Sequence, residues 1–367
     1  MNDLGHGANV DDMAAQYNKN PESILDFSAN INPYTIDQLE HYILQGVKRS
    51  NQYPDIHYTQ LKQNIAQYLG CSESFIIPGN GATEIMYLLM KCIEGPLAII
   101  NPTFSEYERS ARLNHMPIVD FYLNKHRDFS LNLDEISSRM DEFETLFICN
   151  PNNPTGKVQN IKPLLELLTS GNKPLIVDET FMEFVEDEKS YSLLDYAKDY
   201  PNLIIIKAAT KFFGLPGIRL GYGVTSNRKL IEQMHFYKEP WTVNSFAELL
   251  GHYIFKEEQY IQRTKDYFKE ERKRIIAELR TVPYFKTYDT DANFILMEIN
   301  QTELKGLTAK VLKQRLFKEY NILIRDASNF KGLDAYFIRI AIKTQEQNNR
   351  IIRALKDDCL AYLTDRR

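Results

Sequence analysis

The chain has no CxxC pair, no apolar run longer than a strand and no block of like charge. Each absence removes a class of protein. Its four cysteines, Cys71, Cys92, Cys149 and Cys359, are far apart. They read as free thiols in a reducing compartment, and no metal site is indicated. The longest apolar runs, such as Pro96-Leu97-Ala98-Ile99-Ile100, are strand-sized and too short to span a bilayer. The net charge of −5 is spread along the chain, with no basic nucleic-acid patch and no acidic tail. Met1–His6 lacks the basic and apolar regions of a signal peptide, so a cytoplasmic location is expected. No internal repeat, low-complexity tract or Gly/Ser linker is visible.

What is present is ordinary in bulk and specific in detail. The 367 residues are enough for a sizeable core in two domains, or in one with an added lobe. A hydrophobic content of 43% and a charged content of 25% suit a globular protein. Predicted strands at 96–101, 145–150, 173–178, 203–207 and 219–225 alternate with helices, which argues for an α/β fold with a mostly parallel sheet. In such folds ligands bind at the carboxyl ends of strands. Beyond Arg228 the pattern changes to a long Lys/Glu-rich helix over 245–279. Strands at 292–299, 322–325 and 336–342 and helices at 307–320 and 346–363 then follow. This is the expected smaller α+β domain. It combines residues 241–367 with an N-terminal arm, residues 1–40, around a large domain at 41–240.

The densest motif is Ala209-Thr210-Lys211-Phe212-Phe213-Gly214-Leu215-Pro216-Gly217-Ile218-Arg219-Leu220-Gly221-Tyr222. A lysine between a buried strand and a Gly/Pro turn, with an arginine eight residues on, suits a Schiff-base amine beside a phosphate-binding guanidinium. Other pieces fall at predicted strand ends. Pro78-Gly79-Asn80-Gly81-Ala82-Thr83-Glu84 opens a helix, where backbone amides bind phosphate, although glycines there also make plain turns. Phe104 either stacks on a planar ring or packs in the core. Asn150-Pro151-Asn152-Asn153-Pro154-Thr155-Gly156 fixes a rigid turn that leaves an asparagine amide free to donate. Asp178 ends a buried strand, where a carboxylate is costly without a partner. Tyr53-Pro54-Asp55 says little alone.

In this order the motifs resemble the aminotransferase class I/II superfamily of fold-type I pyridoxal phosphate enzymes, over nearly the whole chain. The resemblance implies a pyridoxal phosphate cofactor carried on Lys211. Asp178 would pair with its ring nitrogen, Asn153 would bind its ring oxygen and Phe104 would stack on the ring. Arg219 and the amides of Gly81, Ala82 and Thr83 would cradle its phosphate. Tyr53 would reach the phosphate of a neighbouring subunit in a homodimer with shared active sites.

His6-Gly7-Ala8-Asn9, Leu25–Pro33, Pro240-Trp241-Thr242-Val243-Asn244 and Asn329–Asp334 resemble the L-threonine-O-3-phosphate decarboxylases. Histidinol-phosphate aminotransferases are near relatives that share YPD, the glycine loop, NPNNPTG and both C-terminal arginines. The substrate implied is a small phosphorylated amino acid. Arg339 would clamp its carboxylate with a bidentate fork. Arg325, Asn30 and His6 would hold its phosphate. Decarboxylation would give (R)-1-amino-2-propanol phosphate for cobalamin side-chain assembly, and transamination with 2-oxoglutarate is the alternative. Phe181 stands where most aminotransferases have a tyrosine, and Ala208 where relatives usually have a phosphate-binding serine. Asp326, beside Arg325, either steers that guanidinium or partly neutralises it.

Overall fold

The computed structural model describes Gly7 and residues 9–365. Its strands, in chain order, are β1 (Leu25–Asp26), β2 (Ile76–Asn80), β3 (Leu97–Asn101), β4 (Ile118–Tyr122), β5 (Thr145–Cys149), β6 (Leu175–Asp178) and β7 (Leu203–Ala208). They continue with β8 (Leu220–Val224), β9 (Phe285–Thr287), β10 (Phe294–Ile299), β11 (Ile322–Leu323), β12 (Arg325–Asp326) and β13 (Phe337–Ala341). Seven of them form one sheet in the order β2-β8-β7-β6-β5-β3-β4. The run from β7 to β4 is parallel, and β8 is antiparallel to both of its neighbours. Both faces are covered, so β3, β5, β6 and β7 are buried along their whole length. This explains their continuous apolar runs.

Pairing decides where chemistry can gather. The carboxyl ends of β2, β3, β5, β6 and β7 lie at one edge of the sheet. Because β8 runs the other way, its amino end lies there too. Residues 81–83, 102–105, 150–153, 178–181, 208–211 and 219 therefore converge on a single rim.

A second sheet, β12-β13-β10-β9, is antiparallel throughout. The N-terminal arm joins this half through β1, which pairs in parallel with β11. Phe27 continues the tie, donating to Leu323 O at 2.8 Å and accepting from Ala341 N at 2.8 Å. A few residues on, the Asn32 amide N–H bonds to Lys211 O at 3.1 Å, and its side chain donates to Phe212 O at 2.9 Å. The arm is thus fastened at one end to the small sheet and at the other to the Lys211 turn.

Two expectations need correction, and one strand is additional. The helix anticipated over 245–279 is interrupted: Ser245–Leu250 is one helix, capped by Asn244, and Glu258–Arg280 is another. Gly251, which lies against Leu61, and a 3-10 turn at Ile254–Lys256 separate them. The strand expected at 322–325 is two pieces, because β11 pairs with the arm and β12 with β13. Strand β4 was not anticipated, since Ile118-Val119-Asp120-Phe121-Tyr122 is only partly buried at the sheet edge. Among the described residues no helix is long and apolar enough to cross a membrane.

Candidate active site

The rim of the large sheet and the facing edge of the small one enclose a cleft. It is lined by Asp178, Lys211, Arg219, Asn153, Phe104, Ala82, Thr83, Asn30, Arg325 and Arg339. Ten of the residues singled out from sequence are thus brought together. Gly81 stands just behind the lining. Tyr53 lies outside the cleft, 80% exposed, with its ring 4.7 Å from that of Trp241. His6 lies outside the described residues.

The anion end is built by backbone. Helix Gly81–Cys92 follows β2 directly and has no side-chain cap on its first amides, which leaves N–H groups open to a ligand. Gly81 sits at φ +75°, and a Cβ there would fall 2.5 Å from an Arg219 nitrogen. Gly221 is as constrained: its Cβ would fall 2.2 Å from Ala82 N. The close approach of β8 to this turn therefore requires glycine. Arg219 itself is left-handed, at φ +64°. That conformation is costly for a side-chain-bearing residue and marks a functional position.

Asp178 ends β6, one strand away from the end of β7. Its carboxylate accepts from Tyr107 Oη at 2.6 Å and from Thr180 N at 3.0 Å. Burial raises its pKa, although both hydrogen bonds and nearby Lys211 oppose the rise. Tyr107 is almost wholly buried and stacks on Phe147 at 4.1 Å. The sequence did not single it out. One turn of helix after Phe104 its ring reads as core, and only the β6 register reveals its hydroxyl partner. Cys149 pairs in register with Asp178 at the end of β5, and burial pushes its thiol well up, which favours the protonated form.

Lys211 lines the cleft with its amine 6.0 Å from the Phe181 ring centre. Desolvation, then Arg339, lower its pKa to about 8, with Arg219 adding to the fall and Asp178 resisting it. A neutral amine is thus available near physiological pH.

Arg339 and Arg325 are direct partners across the β12–β13 pair, and both are buried. Arg339 donates to Ser28 O at 2.8 Å and to Asn153 Oδ1, while its Nε has no partner. A guanidinium only donates, so it fixes the Asn153 oxygen toward itself and the Asn153 amide away from itself. Burial, then Arg325, push Arg339 down to about 9. Asn30 Oδ1 and Thr103 Oγ1 are likewise buried without partners in this cleft. Arg325 donates to the Asp326 carbonyl at 2.6 Å, while the Asp326 carboxylate takes the Ser328 amide at 2.9 Å. Asp326 therefore steers the arginine through its backbone.

Fold and site together define an enzyme whose lysine, aspartate and three arginines face one cleft at the rim of an α/β sheet. The chain belongs to the aminotransferase class I and II family, whose profile matches residues 22–355. A relative from Caldanaerobacter subterraneus subsp. tengcongensis, provisionally named threonine-phosphate decarboxylase, is 42% identical over 335 residues, covering 89% of this chain and 88% of its own. The threonine-phosphate decarboxylase of Salmonella typhimurium is 31% identical over 358 residues, covering 96% of each. Among solved structures, the histidinol-phosphate aminotransferase of Clostridium acetobutylicum superposes with a TM-score of 0.86 at 36% identity, covering 92% of this chain and 100% of that one.

Proposed function

We propose that this chain is a pyridoxal phosphate enzyme that decarboxylates L-threonine-O-3-phosphate to (R)-1-amino-2-propanol phosphate for cobalamin side-chain assembly. The observation that carries the reading is the Arg325–Arg339 pair. Like charges directly opposite on an antiparallel ladder destabilise a sheet. Two buried guanidiniums so placed need an anion, and a phospho amino acid brings a carboxylate and a phosphate at once. Arg339 takes the carboxylate. Arg325, with Asn30, takes the phosphate, and His6 is assigned there on the resemblance.

The remaining groups fit the cofactor. The uncapped helix start and left-handed Arg219 would hold its phosphate, Asp178 its ring nitrogen, the outward Asn153 amide its ring oxygen, and Phe104 a ring face. When bound, pyridoxal phosphate supplies an aldehyde for the substrate amine and a ring that accepts the electron pair released at Cα. Lys211 then stands beside the substrate carbon, where its amine holds and returns a proton. Asp178, oriented by Tyr107 and Thr180, keeps a negative charge opposite the ring nitrogen. The apolar Phe181 adds no donor beside the lysine.

A homodimer belongs to the same proposal. In residues 44–56 the large side chains Leu44, Val47, Tyr53 and Ile56 are all exposed, as a self-complementary interface requires. Tyr53 would reach the partner's cofactor phosphate. The four unpaired cysteines support a cytoplasmic setting.

The likeness to the Clostridium acetobutylicum structure favours a second reading, transamination of histidinol phosphate with 2-oxoglutarate. Purified, cofactor-loaded protein given L-threonine-O-3-phosphate should release CO2 and form the amino-alcohol phosphate. No release, together with turnover of histidinol phosphate, would establish the second reading.

A further inference from the structure

The segment between β12 and β13 frames one of the two paired arginines. Arg325 donates to Asn329 Oδ1 at 2.6 Å, and its guanidinium lies 5.1 Å from the Phe330 ring centre. Asn329 and Phe330 both line the cleft. The next residue, Lys331, reaches the other half of the molecule. Its ammonium lies 2.8 Å from Glu108 Oε2 and 2.7 Å from Asp120 Oδ2. Glu108 is on helix Glu106–Leu113 and Asp120 on β4, so both belong to the seven-stranded half. Each carboxylate is held independently of Lys331: Glu108 by Arg112 at 2.6 Å, and Asp120 by the Asn101 amide at 2.8 Å. Gly332 follows at φ +92°, and a Cβ there would fall 2.9 Å from the Tyr122 ring. The segment is therefore seated flat on the edge of the large sheet.

We propose that Lys331 is a positioning residue, a clasp that fastens the Asn329–Gly332 segment to Glu108 and Asp120 and so holds Arg325 in place for the substrate's phosphate. The inference rests on the assignment of Arg325 to that phosphate. Lys331 is assigned no contact with substrate or cofactor. Its ion pairs are partly exposed, with side-chain accessibilities of 37% for Lys331 and 25% for each carboxylate. Salt therefore weakens the clasp.

The test compares full-length, cofactor-loaded wild type with Lys331→Met and Lys331→Arg. With L-threonine-O-3-phosphate, Lys331→Met should raise KM about fivefold, the order expected of a networked surface ion pair, and leave kcat nearly unchanged. Lys331→Arg should restore KM. Raising the salt concentration should raise KM in the wild type and much less in Lys331→Met. Hydrogen exchange of the 329–332 amides in substrate-free protein should be faster in Lys331→Met. An unchanged KM with unchanged exchange overturns the clasp. If the wild type turns over no phosphorylated amino compound, the substrate assignment has failed, and the exchange rates alone then decide whether Lys331 fastens the segment.

Discussion

Lys207 and Lys211 stand four residues apart on the same strand and turn, and the protein treats them in opposite ways. Lys207 is sealed, with Glu183, Glu179 and Glu188 at 3.4, 3.5 and 3.8 Å. Burial alone would lower its pKa, but Glu183, Glu179 and Glu188 overcome that and raise it. Lys211 opens on the cleft, where desolvation and then Arg339 drive it down to about 8, with Asp178 alone among its principal neighbours opposing. Both lysines are desolvated, and the sign of the surrounding charge decides whether each is a fixed cation or a nucleophile. The cost is shared across the strand. Three carboxylates crowd Lys207, whereas around Lys211 the cations Arg339, Arg219 and Lys343 outweigh Asp178.

The sharpest way to break the comparison is to remove each lysine in turn. Lys211→Ala should cost about 10³-fold or more in turnover while leaving the fold intact, as measured by CO2 release and circular dichroism. Lys207→Met should do the reverse in kind. It strands buried carboxylates and should cost about 3–5 kcal/mol of stability, read from denaturant midpoints. That loss should be smaller at pH 5.5 than at pH 8, because burial already raises Glu183 to about 7 and protonation relieves it.

Next in size is the pH dependence of cofactor-free stability. A lysine whose folded pKa is lowered stabilises above its unfolded value, and that contribution is lost as pH falls through the folded one. Stability should therefore rise between pH 8 and the ordinary lysine value near 10.5, and Lys211→Met should flatten the rise. Glu183 works the other way. Its folded pKa of about 7 exceeds its ordinary 4.5, so its contribution is full below 4.5 and is lost as pH rises to 7. Glu183→Gln should flatten that fall. Tyr107→Phe removes the 2.6 Å bond to Asp178 and should weaken cofactor binding by about 1.5–3 kcal/mol, as befits a hydrogen bond to a charged group, measured by equilibrium dialysis. The smallest effect should come from Ala208→Ser, between the two lysines. A hydrogen bond from the serine hydroxyl to the cofactor phosphate should strengthen binding by about 1.5 kcal/mol, the low end for a charged acceptor.

Much of the cleft was legible because its residues sit in short rigid motifs at strand ends, where sequence position and spatial position coincide. The register then brings Lys211, Asp178, Asn153 and Arg219 to one rim. What was not legible depends on register and pairing. Tyr107 meets Asp178 only because β3 and β6 flank β5. Glu183 and Glu188 gather on Lys207 only after the chain turns back beneath β7. Gly251 was a legible stop signal at the end of the first helix, whereas the division at Ile324 was hidden because strand composition continues through it. Tyr53 was legible as a motif, but the chain alone leaves it facing solvent.

The arm has a mechanical consequence. Phe27 and Ser28 are bonded to the small sheet, and Asn32 to the Lys211 turn. Ile31 O also accepts from Lys343 Nζ, just beyond β13, at 3.4 Å, so a change in the distance between the two halves falls on the arm at the Ile31–Asn32 step, and Asn30 lies between two anchors on the small half. Its side chain would therefore travel with the small half. Were the cleft to widen, the arm would carry Asn30 away from the Lys211 turn together with Arg325 and Arg339, so that the whole grip on the substrate's anions would loosen in a single movement.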